Sequence, residues 1–262
     1  MSGVRLYAEI SGPPDGAVVV MGSSLGSTSR MWQAAAEKLA DRYRVVVFDT
    51  RGHGRSPVPP GPYAIGDLGA DVLVTLGALG VEEFSYVGLS LGGQIGIWLA
   101  SEAPDRVRRL SLWSTAAKIA TPESWQERAA AVRAGGTAAI ADAVVVRWFT
   151  PEYAQTNPGE VKSWRDEIAS IPAEGYAGCC DALATSNLTA RLPAITAPTL
   201  VVAGSQDPTT PPALLADLAE RITSSRFEVV APAAHLTPLE QPTATVELLL
   251  DHLGREDTDG RR

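Results

Sequence analysis

Short apolar runs alternate with helix-length amphipathic segments along most of the chain, and this alternation constrains the fold more than any other feature. Residues 4–10, 17–21, 44–49, 84–89 and 107–113 read as strands, and 29–39, 65–79 and 91–101 as helices. Within 65–79, Leu68, Val72, Leu76 and Leu79 recur at the spacing that places them on one helix face. The cluster Gly12-Pro13-Pro14-Asp15-Gly16 is a turn between the first two strands. This β-α-β-α order predicts an α/β protein with a mostly parallel sheet and helices on both faces. The rhythm breaks between 116 and 191, which reads as helical, with starts at Thr121-Pro122-Glu123 and Thr150-Pro151-Glu152. It resumes with strands at 199–203 and 227–230 and helices at 212–221 and 243–253. The expected organisation is an α/β core from 1–115 and 192–254, an inserted helical cap at 116–191, and a charged, frayed tail at 255–262.

Apolar residues are 45% of the 262, enough for a sizeable core. The net charge of −8 disfavours nucleic-acid partners, which need basic surface to neutralise phosphates. It leaves room for a small anionic substrate, because screening lets nearby cations set the field inside a pocket. Cys179 and Cys180 are adjacent, so no disulfide framework is possible, and they read as small core residues. No Cys/His cluster has zinc spacing, and no metal is expected. The first nine residues lack a basic flank followed by a long apolar stretch, and no apolar run approaches the ~20 residues of a membrane helix. A soluble, cytoplasmic chain with no membrane partner is expected, its oligomeric state open.

The pentapeptide Gly88-Leu89-Ser90-Leu91-Gly92 follows an apolar strand and opens a helix. This G-x-S-x-G in a strand–turn–helix setting is a nucleophile elbow, where a sharp turn raises a serine above the sheet. The flanking glycines let chains pass where a Cβ would collide. A serine hydroxyl needs a base to become a nucleophile at neutral pH. Of the three histidines, His53 lies upstream in a loop, and His252, near the end of the last helix, reads as a solvated surface residue. His235 follows the last strand and fits the order serine, acid, histidine. Asp207, at the end of the strand 199–203, is the expected acid, although a turn before proline would also use an aspartate. Asp181 falls in the cap and Asp217 inside a helix. An oxyanion hole needs backbone N–H donors. Leu91, after the serine, supplies one, and Leu25 in Gly22-Ser23-Ser24-Leu25-Gly26 the other, with Ser24 second.

Beyond these motifs, the chain from about 12 to 250 resembles the 3-oxoadipate enol-lactonases of bacterial aromatic catabolism. The resemblance rests on Ser23-Ser24-Leu25-Gly26 with Met31-Trp32, on Asp49-Thr50-Arg51-Gly52-His53-Gly54 and on Gly61-Pro62-Tyr63. In the cap it rests on Thr115-Ala116-Ala117-Lys118-Ile119, Trp125, the run 131–136, Arg147-Trp148-Phe149-Thr150 and the run 175–180. Ser23 departs from the family's asparagine, and Trp113-Ser114 from a smaller residue followed by asparagine. The resemblance implies the α/β-hydrolase fold and hydrolysis of a five-membered enol-lactone bearing an acetate arm, with no cofactor. A buried carboxylate needs a partner. Arg133 and Trp148 in the cap are the candidates, through a charge-assisted bond and an indole N–H, with Ser24 also placed at the substrate. Because the base must be neutral to act, activity is expected to fall in acid. An esterase, a C–C hydrolase or a cofactor-free perhydrolase would use the same triad, and a ligand receptor could retain it.

Overall fold

The computed structural model describes residues 3–255. Their strands are β1 (Ala8–Ser11), β2 (Val18–Gly22), β3 (Arg44–Phe48), β4 (Phe84–Leu89), β5 (Val107–Trp113), β6 (Thr199–Gly204) and β7 (Ser225–Val230). They form one sheet in the order β1-β3-β2-β4-β5-β6-β7. β1 runs antiparallel to β3, and every other neighbouring pair is parallel. β1 starts later than the apolar pattern from residue 4 implies. Three backbone N–H groups ahead of it are taken by side chains: Val4 by Asp71, Leu6 by Thr75 and Tyr7 by Ser56.

Alternate residues of the central strands feed two different cores, as the two-residue period of a strand requires. Val20, Val46, Tyr86 and Leu112 point to the face covered by α2 (Ile65–Ala78) and α3 (Leu91–Glu102), where they meet Leu68, Val72, Leu76, Ile95 and Leu99. Val19, Met21, Val45 and Val87 point the other way, toward Ala35 and Leu39 of α1 (Gln33–Leu39) and Leu249 near the C-terminus. Burial on both faces explains why these strands are continuously apolar. Each fully buried Val or Leu contributes roughly 1.5–3 kcal/mol.

Between β5 and β6 the chain leaves the sheet and forms α4 (Pro122–Gly135), α5 (Ala141–Val145), α6 (Pro151–Thr156), α7 (Pro158–Ser170) and α8 (Ala173–Thr185). The Thr-Pro-Glu starts of α4 and α6 work through their caps: Thr121 Oγ1 accepts from Ser124 N–H and Thr150 Oγ1 from Tyr153 N–H. α4 packs along α8, and α5 against α7. The chain then returns through β6, α9 (Pro212–Glu220), β7, α10 (Thr237–Glu240) and α11 (Pro242–Gly254). No helix among the described residues is long and apolar enough to cross a membrane. Of the tail expected to fray, Arg255 is described and pairs with Asp251; 256–262 lie outside the described residues.

His252 corrects the expectation of a solvated surface residue. It is buried and its Nε2–H donates to Leu110 O at 3.0 Å. Thr245, Leu249 and His252 form the inner face of α11, a spacing readable from the sequence. Burial, helped by the charge of Arg109, lowers the His252 pKa to about 4. His53 is fully buried as well, and burial lowers its pKa to about 4. Both imidazoles are therefore neutral in the fold while the unfolded chain binds protons from about pH 6.5 downward. Wherever the unfolded state binds more protons, stability rises with pH. Stability should thus fall as pH drops from about 6.5 to about 4, by on the order of 1 kcal/mol per pH unit for each histidine. Urea melts at pH 7, 6, 5 and 4.5 test this. A midpoint flat across that range would contradict it, and His252→Gln should flatten the slope.

Candidate active site

Because β4, β6 and β7 are parallel, the loops that leave their C-terminal ends gather at one edge of the sheet, the edge where such folds bind ligands. Ser90 stands in the turn between β4 and α3 with φ 57° and ψ −113°. A side chain held there costs about 1–3 kcal/mol, so the surroundings must enforce it. Ser90 N–H donates to Trp113 O at 2.9 Å, and Ser90 O accepts from Thr115 Oγ1 at 2.7 Å and Gln94 N–H at 3.1 Å. The glycines of the pentapeptide are required by close approach. A Cβ on Gly88 would sit 2.2 Å from Gly92 O, and one on Gly92 would sit 2.3 Å from Gly22 O.

Asp207 follows β6 and His235 follows β7, both buried. His235 Nδ1–H donates to Asp207 Oδ2 at 2.7 Å. The same oxygen accepts from Thr210 Oγ1 at 2.6 Å, and Oδ1 accepts from Thr209 N–H at 2.8 Å and Thr210 N–H at 3.1 Å. Burial pushes the Asp207 carboxyl up, but the charge of His235 and the bonds from His235 and Thr210 outweigh it and hold it below the usual value. With Nδ1 committed to Asp207, Nε2 is the ring nitrogen left to take a proton. The segment around His235 is tied to the helical insertion. Leu236 N–H donates to Trp148 O at 3.0 Å. Glu240 accepts from Ala234 N–H on one oxygen and from Thr150 N–H and Oγ1 on the other.

The loop after β2 closes the third side. Gly92 N–H donates to Ser23 O at 3.1 Å, which seats the loop against the start of α3. His53 Nε2 accepts from Gly26 N–H at 3.0 Å while its Nδ1–H faces Arg51 O at 3.2 Å. His53 is thus a buttress of this loop. The neighbouring Leu25 N–H and the Leu91 N–H have no protein acceptor among the described residues, although both residues are buried. Two unpaired N–H groups flanking a serine are donors available to an oxyanion.

Ser90, His235, Ser24, Leu25 and Trp148 line one cavity of about 280 Å³. Trp148 is packed edge-to-face on Trp164 at 6.2 Å. Arg133 does not line the cavity, which corrects its expected role. It is exposed and bonded to Glu174 and to Asp181, the latter at 2.6 Å. On α4 the cavity face carries Ser124, Trp125 and Arg128, and Arg133 lies five residues past Arg128, about 140° around the helix. Arg128, Arg147 and Tyr176 line the cavity and had no role assigned from the sequence. The signal for Arg128 was its i,i+3 relation to Trp125. Cys179 and Cys180 are free and buried in the core.

This sheet order, the strained serine on its elbow and the histidine–aspartate pair behind it define an α/β hydrolase, and the family model described as alpha/beta hydrolase fold matches residues 17–242. The chain is 41% identical to 3-oxoadipate enol-lactonase 2 of Acinetobacter baylyi, over 92% of this chain and 90% of that one. It is 36% identical to 3-oxoadipate enol-lactonase 1 of the same organism, over 94% and 92%. The crystal structure of the enol-lactonase from Burkholderia xenovorans LB400 superposes with a TM-score of 0.93 at 36% identity, covering 95% of this chain and 96% of that one. Within the α/β hydrolases, the chain belongs to the 3-oxoadipate enol-lactonase family.

Proposed function

We propose that the chain hydrolyses 3-oxoadipate enol-lactone to 3-oxoadipate, in the β-ketoadipate route of aromatic catabolism, through an acyl-enzyme on Ser90. The observation that carries the chemistry is a serine at φ 57° sharing one cavity with a histidine whose far nitrogen is bound to a buried carboxylate. Membership in the enol-lactonase family supports the choice of substrate.

Ser90 Oγ attacks the lactone carbonyl carbon as its proton passes to His235 Nε2. Asp207 fixes the tautomer and stabilises the imidazolium. The tetrahedral oxyanion is received by Leu25 and Leu91 N–H. Its collapse breaks the ring C–O bond and expels an enolate, which takes up at carbon the proton that His235 carries and becomes a ketone. Water then attacks the acyl carbon, gives a proton to the neutral His235, and that proton passes to Ser90 Oγ as the acyl bond breaks.

Ultraviolet loss of the enol-lactone, generated in situ, tests this reading against cleavage of p-nitrophenyl acetate. Lactone turnover far above the ester rate is expected. Cleavage of the ester with no loss of the lactone would keep a serine hydrolase and discard the lactonase.

A further inference from the structure

We propose that Glu240 is a positioning residue for the catalytic base, its carboxylate binding the His235 loop to the segment 148–150 of the insertion so that Nε2 stays within reach of Ser90; this rests on the Ser90–Asp207–His235 reading above and not on the identity of the substrate. His235 is bonded to Asp207 but not to Ser90 among the described residues. The gap that the proton must cross is therefore set by whatever holds residues 233–236. One side of that stretch is held by the acid loop. Gln206 N–H donates to Ala233 O at 2.8 Å. Ala234 O packs so closely on Gly204 that a Cβ on the glycine would lie 2.0 Å from it. Gly204 and Gln206 lead directly into Asp207, so these contacts place the imidazole relative to its carboxylate. They leave its reach toward Ser90 to the opposite side.

That side is Glu240, the last residue of α10, a helix that begins two residues after His235. One carboxylate oxygen accepts from Ala234 N–H at 2.6 Å, and the other from Thr150 N–H at 3.0 Å and Thr150 Oγ1 at 2.6 Å. Three donors on one carboxylate make charge-assisted bonds, which are stronger than neutral ones. Leu236 N–H bonds Trp148 O directly. The N–H groups on both sides of His235 are thus tied to the insertion, one of them through Glu240. The anchor is itself fixed, because Thr150 Oγ1 also caps α6 by accepting from Tyr153 N–H. Ala233, Leu236, Trp148 and Phe149 share one core, so the two segments pack as well as bond. Neither Glu240 nor its partners Ala234 and Thr150 line the cavity. Glu240 therefore acts on the reaction through His235 and not by touching substrate. A misplacement of about 1 Å at a reacting group costs on the order of a hundredfold in rate.

The test measures kcat and KM on p-nitrophenyl acetate for Glu240→Gln and Glu240→Ala, each also in a His235→Ala background, with a thermal melt of every preparation. A carboxylate accepts on both sides, whereas an amide accepts on one. In Glu240→Gln the NH₂ meets either Ala234 N–H or Thr150, whose hydroxyl can turn to accept while its N–H stays bare. Part of the tie is lost, and kcat should fall about tenfold with KM within about twofold. Glu240→Ala removes both sides of the tie and should lose about a hundredfold in kcat. Because Glu240 acts through the base, these losses should not add to that of His235→Ala. The double variant should be about as slow as His235→Ala alone, whereas a general loosening of the fold would slow it further. A Glu240→Gln variant with wild-type kcat, a loss confined to KM, or losses that multiply in the double variant would each overturn the inference. If Glu240→Ala does not fold, Glu240→Gln and its double variant decide between these outcomes. A His235→Ala variant with the wild-type rate would sink the triad reading and this inference with it. An inactive His235→Ala beside an undiminished Glu240→Ala would sink this inference alone.

Discussion

Ser90→Ala is expected to fold like wild type and to lose about 10⁴-fold or more in kcat on the enol-lactone. Folding should survive because every contact that holds the elbow is made by backbone atoms of residue 90. Its N–H bonds Trp113 O, and its carbonyl accepts from Thr115 and Gln94. Alanine already has the Cβ that serine carries at φ 57°, so the backbone strain is unchanged. What disappears is the only atom able to form the acyl bond at that point. The residual rate then comes from substrate binding and from the Leu25 and Leu91 N–H groups, which the substitution leaves in place. The decisive readouts are lactone loss in the ultraviolet and a thermal melt of the same preparation. A variant that keeps more than about a tenth of wild-type activity would remove Ser90 as nucleophile. Attention would then move to another hydroxyl in the cavity, Ser24 or Ser124.

The readable parts of this site are those that local sterics or chain order impose. Gly88 and Gly92 flag the elbow because a Cβ at either would strike a backbone oxygen. Asp207 follows the buried apolar strand β6 and His235 follows β7, a strand of mixed composition, and strand ends in a parallel sheet lie at one edge whatever the loops contain. Arg133 was misplaced because helix phase within the insertion is fixed by packing of α4 on α8, a contact between segments with no recognisable spacing of their own. The choice between Arg128 and Arg133 is a choice of helix face, and both sit among small and polar residues that mark no face strongly. His252 is hidden for a different reason. A histidine near a helix end suggests solvent, whereas its i,i+4,i+7 relation with Thr245 and Leu249 puts it in the core. The buttress made by His53 on Gly26 joins residues far apart in the chain, so no pattern within one segment could reveal it.

Asp207→Asn should cost about 10³–10⁴-fold in kcat with little change in melting temperature. The outcome depends on which way the new amide must face. Asp207 Oδ1 accepts from two backbone donors, Thr209 N–H and Thr210 N–H, which belong to the turn and cannot become acceptors. The asparagine oxygen is therefore drawn to that side, and the NH₂ is turned toward Thr210 Oγ1 and His235 Nδ1. Thr210 can adapt by rotating its hydroxyl and accepting. His235 can adapt only by leaving Nδ1 unprotonated, so its single proton moves to Nε2, the nitrogen that must be bare to take the Ser90 proton. The fold keeps its hydrogen bonds while the base occupies the wrong tautomer. Asp207→Ala would act differently. It would leave Thr209 and Thr210 N–H without their carboxylate and should lower stability together with activity. Measuring kcat and melting temperature for both variants separates the two effects. An asparagine variant that retains more than about a tenth of wild-type kcat would mean that Asp207 does not set the His235 tautomer. One that melts as early as the alanine variant would mean that the amide has not turned to satisfy the Thr209 and Thr210 N–H groups.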